Sequence, residues 1–201
     1  MDITHQIRIV WKPIVFVICL LPVLHAIGDM YQITGDLGAN PIENLQDRFG
    51  NWGLRFLLLS LAVTPCRRIT GRQWLIRFRR MLGLFSFFYV LIHFTIWLLL
   101  DQRLLISAIT EDISERPFIA VGFLSLTILA ALAATSTMKI RSKLGRNWQK
   151  LHNCIYIAAV FGIWHYWWQV KIDATEPIIY ALVLALLIGF RLRYSNLKRI
   201  V

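Results

Sequence analysis

An all-α integral membrane protein, a bundle of six transmembrane helices with both termini on the cytoplasmic side, is the fold class this sequence predicts. Three observations carry it. Hydrophobic residues fill 57% of the 201 positions and charged residues 16%, whereas a soluble domain carries about 45–50% apolar and about 25% charged residues. Apolar runs approaching the roughly 20 residues that span a bilayer recur along nearly the whole chain, so 1–201 reads as one transmembrane domain. Cations and acids also segregate onto alternate connecting loops.

The runs fall at about 12–28, 52–65, 81–100, 117–136, 151–168 and 177–191, each bounded by charge, Gly or Pro. The first follows Arg8 and Lys12, with Pro13 in its opening turn and Pro22 inside it, where a kink is expected. A cleaved signal peptide is an alternative for this run, and cleavage would leave the orientation of the others unchanged. The second run is short, carries Arg55, and could begin earlier, at Phe49. The third carries His93, the fifth runs from His152 through His165, and Pro117 and Pro177 open the fourth and sixth.

Loop charge sets the orientation. Residues 67–80 hold Arg67, Arg68, Arg72, Arg77, Arg79 and Arg80, and residues 139–150 hold Lys139, Arg141, Lys143, Arg146 and Lys150, with no acid in either loop. Both loops are therefore expected in the cytoplasm, with Arg8 and Lys12 at one terminus and Arg191, Arg193, Lys198 and Arg199 at the other. Asp29, Asp36, Glu43, Asp47, Asp101, Glu111, Asp112, Glu115, Asp173 and Glu176 all fall on the opposite side. The net charge of +11 thus has a topological origin, and nucleic acid is not an expected partner. Cys19, Cys66 and Cys154 are scattered and form no Cys-x-x-Cys, which argues against a disulfide framework and covalent haem attachment.

Ionisable residues within a bilayer are costly and mark function. His93 lies seven residues from Leu100 and His165 three from the end of its span, depths of about 10 Å and about 5 Å below the outer face at 1.5 Å per residue. Helix tilt absorbs that difference. One imidazole from each of two helices can hold haem iron with no open position, an arrangement suited to electron transfer. Two other readings stand beside this one: hydrogen-bonded histidines at a helix interface, or a three-imidazole metal site with His25 as an alternative ligand.

His152 precedes His165 by thirteen residues, about 20 Å of helix. It could serve only a second, inner haem, with Met81 and Met138 as soft ligand candidates. Trp164, Tyr166, Trp167 and Trp168, with Trp97 and Trp52 at comparable depth, read mostly as an interfacial belt. Arg55 is a candidate propionate partner, or a cation snorkelling to headgroups.

The run Arg80-Met81-Leu82-Gly83-Leu84 before His93, the run from Leu144 to Asn153 before His165, and Gly38-Ala39-Asn40-Pro41 carry a resemblance over nearly the whole chain. The sequence resembles the haem-binding membrane subunits of bacterial protein-methionine-sulfoxide reductase systems, within the ferric-reductase-like transmembrane superfamily. That resemblance implies b-type haem, FMN, an inner-membrane location, and a periplasmic molybdopterin partner that reduces methionine sulfoxide in oxidised proteins.

The superfamily carries His-x13-His on one helix and His-x12-His on another. His152 and His165 match the second pattern, while Arg79 stands where the first requires histidine. An inner haem thus lacks one ligand, and Arg79 and Arg80 suit a propionate or flavin phosphate. No Gly-x-Gly-x-x-Gly is present, so the reductant is expected from membrane quinol or a separate cytosolic flavin reductase. The expectation is an electron-transfer subunit with one haem, or two stacked across the bilayer. A non-redox haem or metal carrier, a membrane anchor and a ferric reductase are the alternatives.

Overall fold

The computed structural model describes residues 3–170 and 173–200, with side chains described from 5 to 170 and from 173 to 193. The side chains of Lys198 and Arg199, counted above among the cytoplasmic cations, lie outside that set. No strand occurs among the described residues. A helical turn at Ile3–Gln6 and a π-helical turn at Ile7–Trp11 lead into α1 (Lys12–Met30), with Pro13 in its first turn and Pro22 in its interior.

The second helix, α2 (Pro41–Thr70), is much longer than the expected 52–65 run. Its extra turns come from a start signal that hydropathy does not register. Asn40 caps the helix, its Oδ1 accepting from Glu43 N–H while its Nδ2 donates to the Glu43 carboxylate, and Pro41 supplies the first helical position. Gly71, at φ 69°, closes the other end in the left-handed conformation that favours glycine. α3 (Ile76–Ile96) follows and runs on into a π-helical turn at Trp97–Asp101.

An amphipathic helix, α4 (Ile106–Glu115), occupies the connection between the third and fourth apolar runs. α5 (Pro117–Ala134) starts at its proline, and Thr137 caps the short α6 (Met138–Leu144). The fifth apolar run is not one helix. It divides at Cys154 into α7 (Arg146–Asn153) and α8 (Ile155–Gln169). α9 (Thr175–Ile200) completes the chain, its first turn held by Asp173, whose carboxyl the Thr175 hydrogen bonds keep below the usual carboxylate range.

Among the described residues, four segments are long and apolar enough to cross a membrane: Ile7–Met30, Gln73–Asp101, Pro117–Ala134 and Thr175–Arg193. The second and fifth expected spans fall on α2, whose ends are charged, and on α8, which has 15 residues. Wide exposure of Ile14, Val17, Ile18, Leu21, Leu24, Leu182 and Leu186 fits a surface that meets lipid rather than water.

Two antiparallel helix pairs, α2 with α3 and α5 with α8, form the centre of the bundle. Leu54, Leu57, Leu61, Leu129, Ala158, Ala159 and Ile163 are buried in the core that joins them, and α9 closes over it through Leu184. α1 packs on α3 through a second cluster that includes Cys19, Ala26, Phe85 and Tyr89. Both pairs are pinned by a buried serine hydroxyl donating to the facing backbone: Ser86 to Gly53 O at 2.9 Å and Ser125 to Ala158 O at 2.8 Å. Each satisfied hydroxyl removes the desolvation cost of its burial and fixes helix register.

Candidate functional site

His93 on α3 and His165 on α8 come together at one end of the bundle. Their ring centroids are 6.1 Å apart and their planes cross at 81°. Each ring is held by the same device. His93 Nδ1 lies 2.8 Å from Gln46 O, and His165 Nδ1 lies 2.8 Å from Phe118 O. A carbonyl only accepts, so Nδ1 carries the proton in both rings and each Nε2 keeps its lone pair for another partner. This backbone support is the one that commonly orients metal-bound histidines.

Close helix approach seats the rings. A Cβ on Gly50 would come within 3.1 Å of His93 Nδ1, and one on Gly122 within 2.8 Å of His165 Nδ1. These contacts repeat along the chain. Both histidine-to-carbonyl bonds span 47 residues and both serine bonds span 33. Each position of the first pair has its counterpart 72 further on, 46 at 118, 50 at 122 and 93 at 165. The α2–α3 and α5–α8 pairs thus share one antiparallel register, each presenting one imidazole to the other.

Around this pair, Asp47 accepts from Gln169 at 3.1 Å, linking the residue after Gln46 to the end of α8. Phe118 lies against His165 with centroids 5.6 Å apart. Arg55 is engaged by the protein itself. Its Nε donates to Tyr180 at 2.8 Å, its Nη2 pairs with Glu176 at 3.3 Å, and its guanidinium lies over Trp52. Tyr166 donates to the other Glu176 oxygen, tying α2, α8 and α9 together beside His165. Trp164, Trp167 and Trp168 are about half exposed and point outward, consistent with the belt reading.

His25 is not brought to the pair. It sits 3.1 Å from Asp29 and 3.2 Å from Arg48, with its side chain largely exposed. Among the described residues, no group of three or more His, Cys, Asp or Glu side chains could hold a metal ion, so the three-imidazole site does not form there. Hydropathy and motif spacing pass over Arg48, which bonds the buried Asp29 carboxylate, as does Thr34. The signal was an acid at the end of an apolar run, which requires a cation or several donors. Arg48→Met is expected to lower the unfolding temperature, because the Asp29 carboxylate loses its charged partner and keeps Thr34 as a donor. Thermal unfolding in detergent checks this, and Asp29→Asn in the same chain should restore part of the loss.

The opposite end is cationic. His152 Nε2 meets the Thr135 hydroxyl at 3.2 Å and its ring stacks on Trp148 at 4.0 Å, while Arg141 lies over the same indole. Arg79 stands within electrostatic range of Tyr156, Arg191, Arg67 and His152. Arg191 donates to Tyr156 and Asn153, and Arg67 Nε is buried without a hydrogen-bond partner. Arg80 faces elsewhere, into a cleft beside α1 that Met81 also lines, and Met138 is exposed.

A multi-pass helical membrane protein with two carbonyl-anchored imidazoles facing one another is the class these features define. Residues 49–163 match the family described as ferric reductase like transmembrane component. The protein-methionine-sulfoxide reductase heme-binding subunit MsrQ of Ralstonia nicotianae is 47% identical over 180 residues, covering 88% of this chain and 82% of that protein. The subunits of the same name from Xanthomonas campestris pv. campestris and Bordetella pertussis are 49% and 46% identical, over 77% and 90% of this chain and 71% and 87% of their own lengths. The chain belongs to this MsrQ family of ferric-reductase-like membrane proteins.

Proposed function

We propose that this chain is a b-type cytochrome subunit that carries electrons across the bacterial inner membrane to a periplasmic molybdopterin methionine-sulfoxide reductase, supporting repair of oxidised proteins. The observation that carries the reading is the pair of Nδ1-anchored imidazoles with centroids 6.1 Å apart. Two metal–nitrogen bonds of about 2 Å with a ring radius beyond each come to about 6 Å, so the spacing fits one iron between the rings. His93 and His165 would hold the haem iron, which would supply a one-electron couple with no position open to substrate. The glycines at 50 and 122 let each ring seat against a helix backbone, and the two carbonyl bonds fix its tautomer and orientation.

Six crossings with both termini cytoplasmic agree with the charge pattern. Asp29, Asp47, Asp112 and Glu176 bond near the His93 end, whereas Arg67, Arg79, Arg141 and Arg191 gather around His152. The cationic end suits an anionic group, a propionate of an inner haem bound at His152 or the phosphate of an FMN. Arg67 Nε, buried and unpartnered, is the donor such a group would satisfy. Electrons would enter there from quinol or a cytosolic flavin reductase, while Arg55, already tied to Glu176 and Tyr180, braces the helices behind His165.

The test is reoxidation. Dithionite-reduced protein mixed with its periplasmic partner should reoxidise when methionine sulfoxide is added and not before. A cofactor that stays reduced sinks the electron-transfer role in favour of a carrier or anchor, and one drained only by ferric chelates points to a ferric reductase. His25→Ala is expected to keep the outer cofactor spectrum unchanged, because His25 is spent on Asp29 and Arg48. Loss of the spectrum in that variant would replace one of the two assigned ligands.

A further inference from the structure

α1 and α3 enter the bundle from the same end, each with cations at its start and aromatics a turn or two further in. Between them lies a cleft of about 440 Å³. Lys12, Arg77 and Arg80 line one end of it, Phe16, Phe85 and Phe88 line the rest, and among the described residues no carboxylate borders it. Phe16 packs on Phe85 with centroids 5.1 Å apart. Phe16 and Phe88 are 48% and 38% exposed, so the apolar part of the cleft opens toward the bilayer.

We infer that this cleft binds an anionic phospholipid of the leaflet at the arginine-rich end, phosphate at Lys12 and Arg80 and an acyl chain along the three phenylalanines. The combination selects the ligand. A neutral quinol would fill the aromatic slot without using two cations, and a free phosphate would use the cations without needing the slot. An amphiphile with a fixed negative charge uses both, and basic residues at the membrane surface favour anionic lipid. This inference rests on the membrane placement of α1 and α3 and not on the cofactor reading, and its readout is lipid retention.

Native mass spectrometry of the full chain in detergent, titrated with phosphatidylglycerol and with phosphatidylethanolamine of matched chains, tests it. The wild type should retain the anionic lipid about tenfold more tightly, and Lys12→Gln/Arg80→Gln should lose that preference. Leu84→Trp, which fills the slot with the cations in place, should weaken retention of both lipids. Unchanged helical circular dichroism and a single gel-filtration peak would show that each variant is folded. Equal retention of both lipids by the wild type would overturn the proposal. So would a preference that survives the double variant, or a neutral quinone recovered in place of phospholipid whether or not the cations are present.

Discussion

Alanine at either His93 or His165 is expected to abolish the low-spin haem spectrum of the purified protein, while alanine at His152 is expected to leave the outer signal in place. On the proposed function the two outer rings would act as a unit, since low-spin iron would need a nitrogen from each. The other ligand candidates are engaged elsewhere. His25 is committed to Asp29 and Arg48, and Met81 lines the cleft beside α1. His152 belongs to the other end of the bundle, stacked on Trp148 and bonded to Thr135. The check is a reduced-minus-oxidised spectrum of each variant with haem counted per chain. A full normal spectrum from His93→Ala would remove that residue from the ligand set.

The second large effect is expected at a residue that touches no cofactor. Gly122→Leu should lose most of the bound haem, and Gly122→Ala should perturb the spectrum more than Gly50→Ala. A Cβ at 122 would stand 2.8 Å from His165 Nδ1 and 2.9 Å from its Cε1, closer than non-bonded atoms tolerate. The ring cannot swing away cheaply, because Nδ1 is tied to Phe118 O one helical turn earlier. At Gly50 the nearest distance is 3.1 Å, which a shift of a few tenths of an ångström relieves. Overpacking of this kind costs about 1–3 kcal/mol in a well-packed interior, and here it falls on the ligand's orientation. Haem occupancy and the sharpness of the low-spin bands read the order; equal, wild-type spectra in all three variants would show that the rings have freedom the close contacts deny.

Much of this site was legible in the sequence. An imidazole in an apolar run announces itself through the cost of placing it there, and similar depth singled out His93 and His165. The helix boundaries were less legible because hydropathy reports lipid exposure, not helicity. α2 begins eleven residues before the expected Trp52, where Asn40, Pro41 and Glu43 form a polar start signal ahead of any apolar run. The break at Cys154 falls where the polar α7, ending in His152 and Asn153, gives way to the apolar α8, so a run begun at Leu151 crosses a boundary that the residue types themselves mark.

The partners of charged residues were beyond the sequence for a different reason. Arg55 meets Glu176 and Tyr180 across more than 120 positions, and only the packing of α9 against α2 sets that meeting. The adjacent pair Arg79 and Arg80 looked like one cluster, yet the turn of the helix sends one toward His152 and the other toward Lys12. The shared register of the two helix pairs does leave a trace in the chain's own spacing. Gly50 precedes His93 by the same interval at which Gly122 precedes His165, and that shared interval ties each glycine to its histidine.

The central claim is that two carbonyl-anchored imidazoles hold one haem iron. It is tested most directly by a dithionite-reduced minus oxidised visible spectrum of the detergent-purified wild-type chain, with extracted haem quantified. Sharp six-coordinate b-type bands and at least one haem per chain are expected. A folded, fully expressed protein from haem-replete cells that shows no such bands, or only a high-spin five-coordinate species, would contradict it.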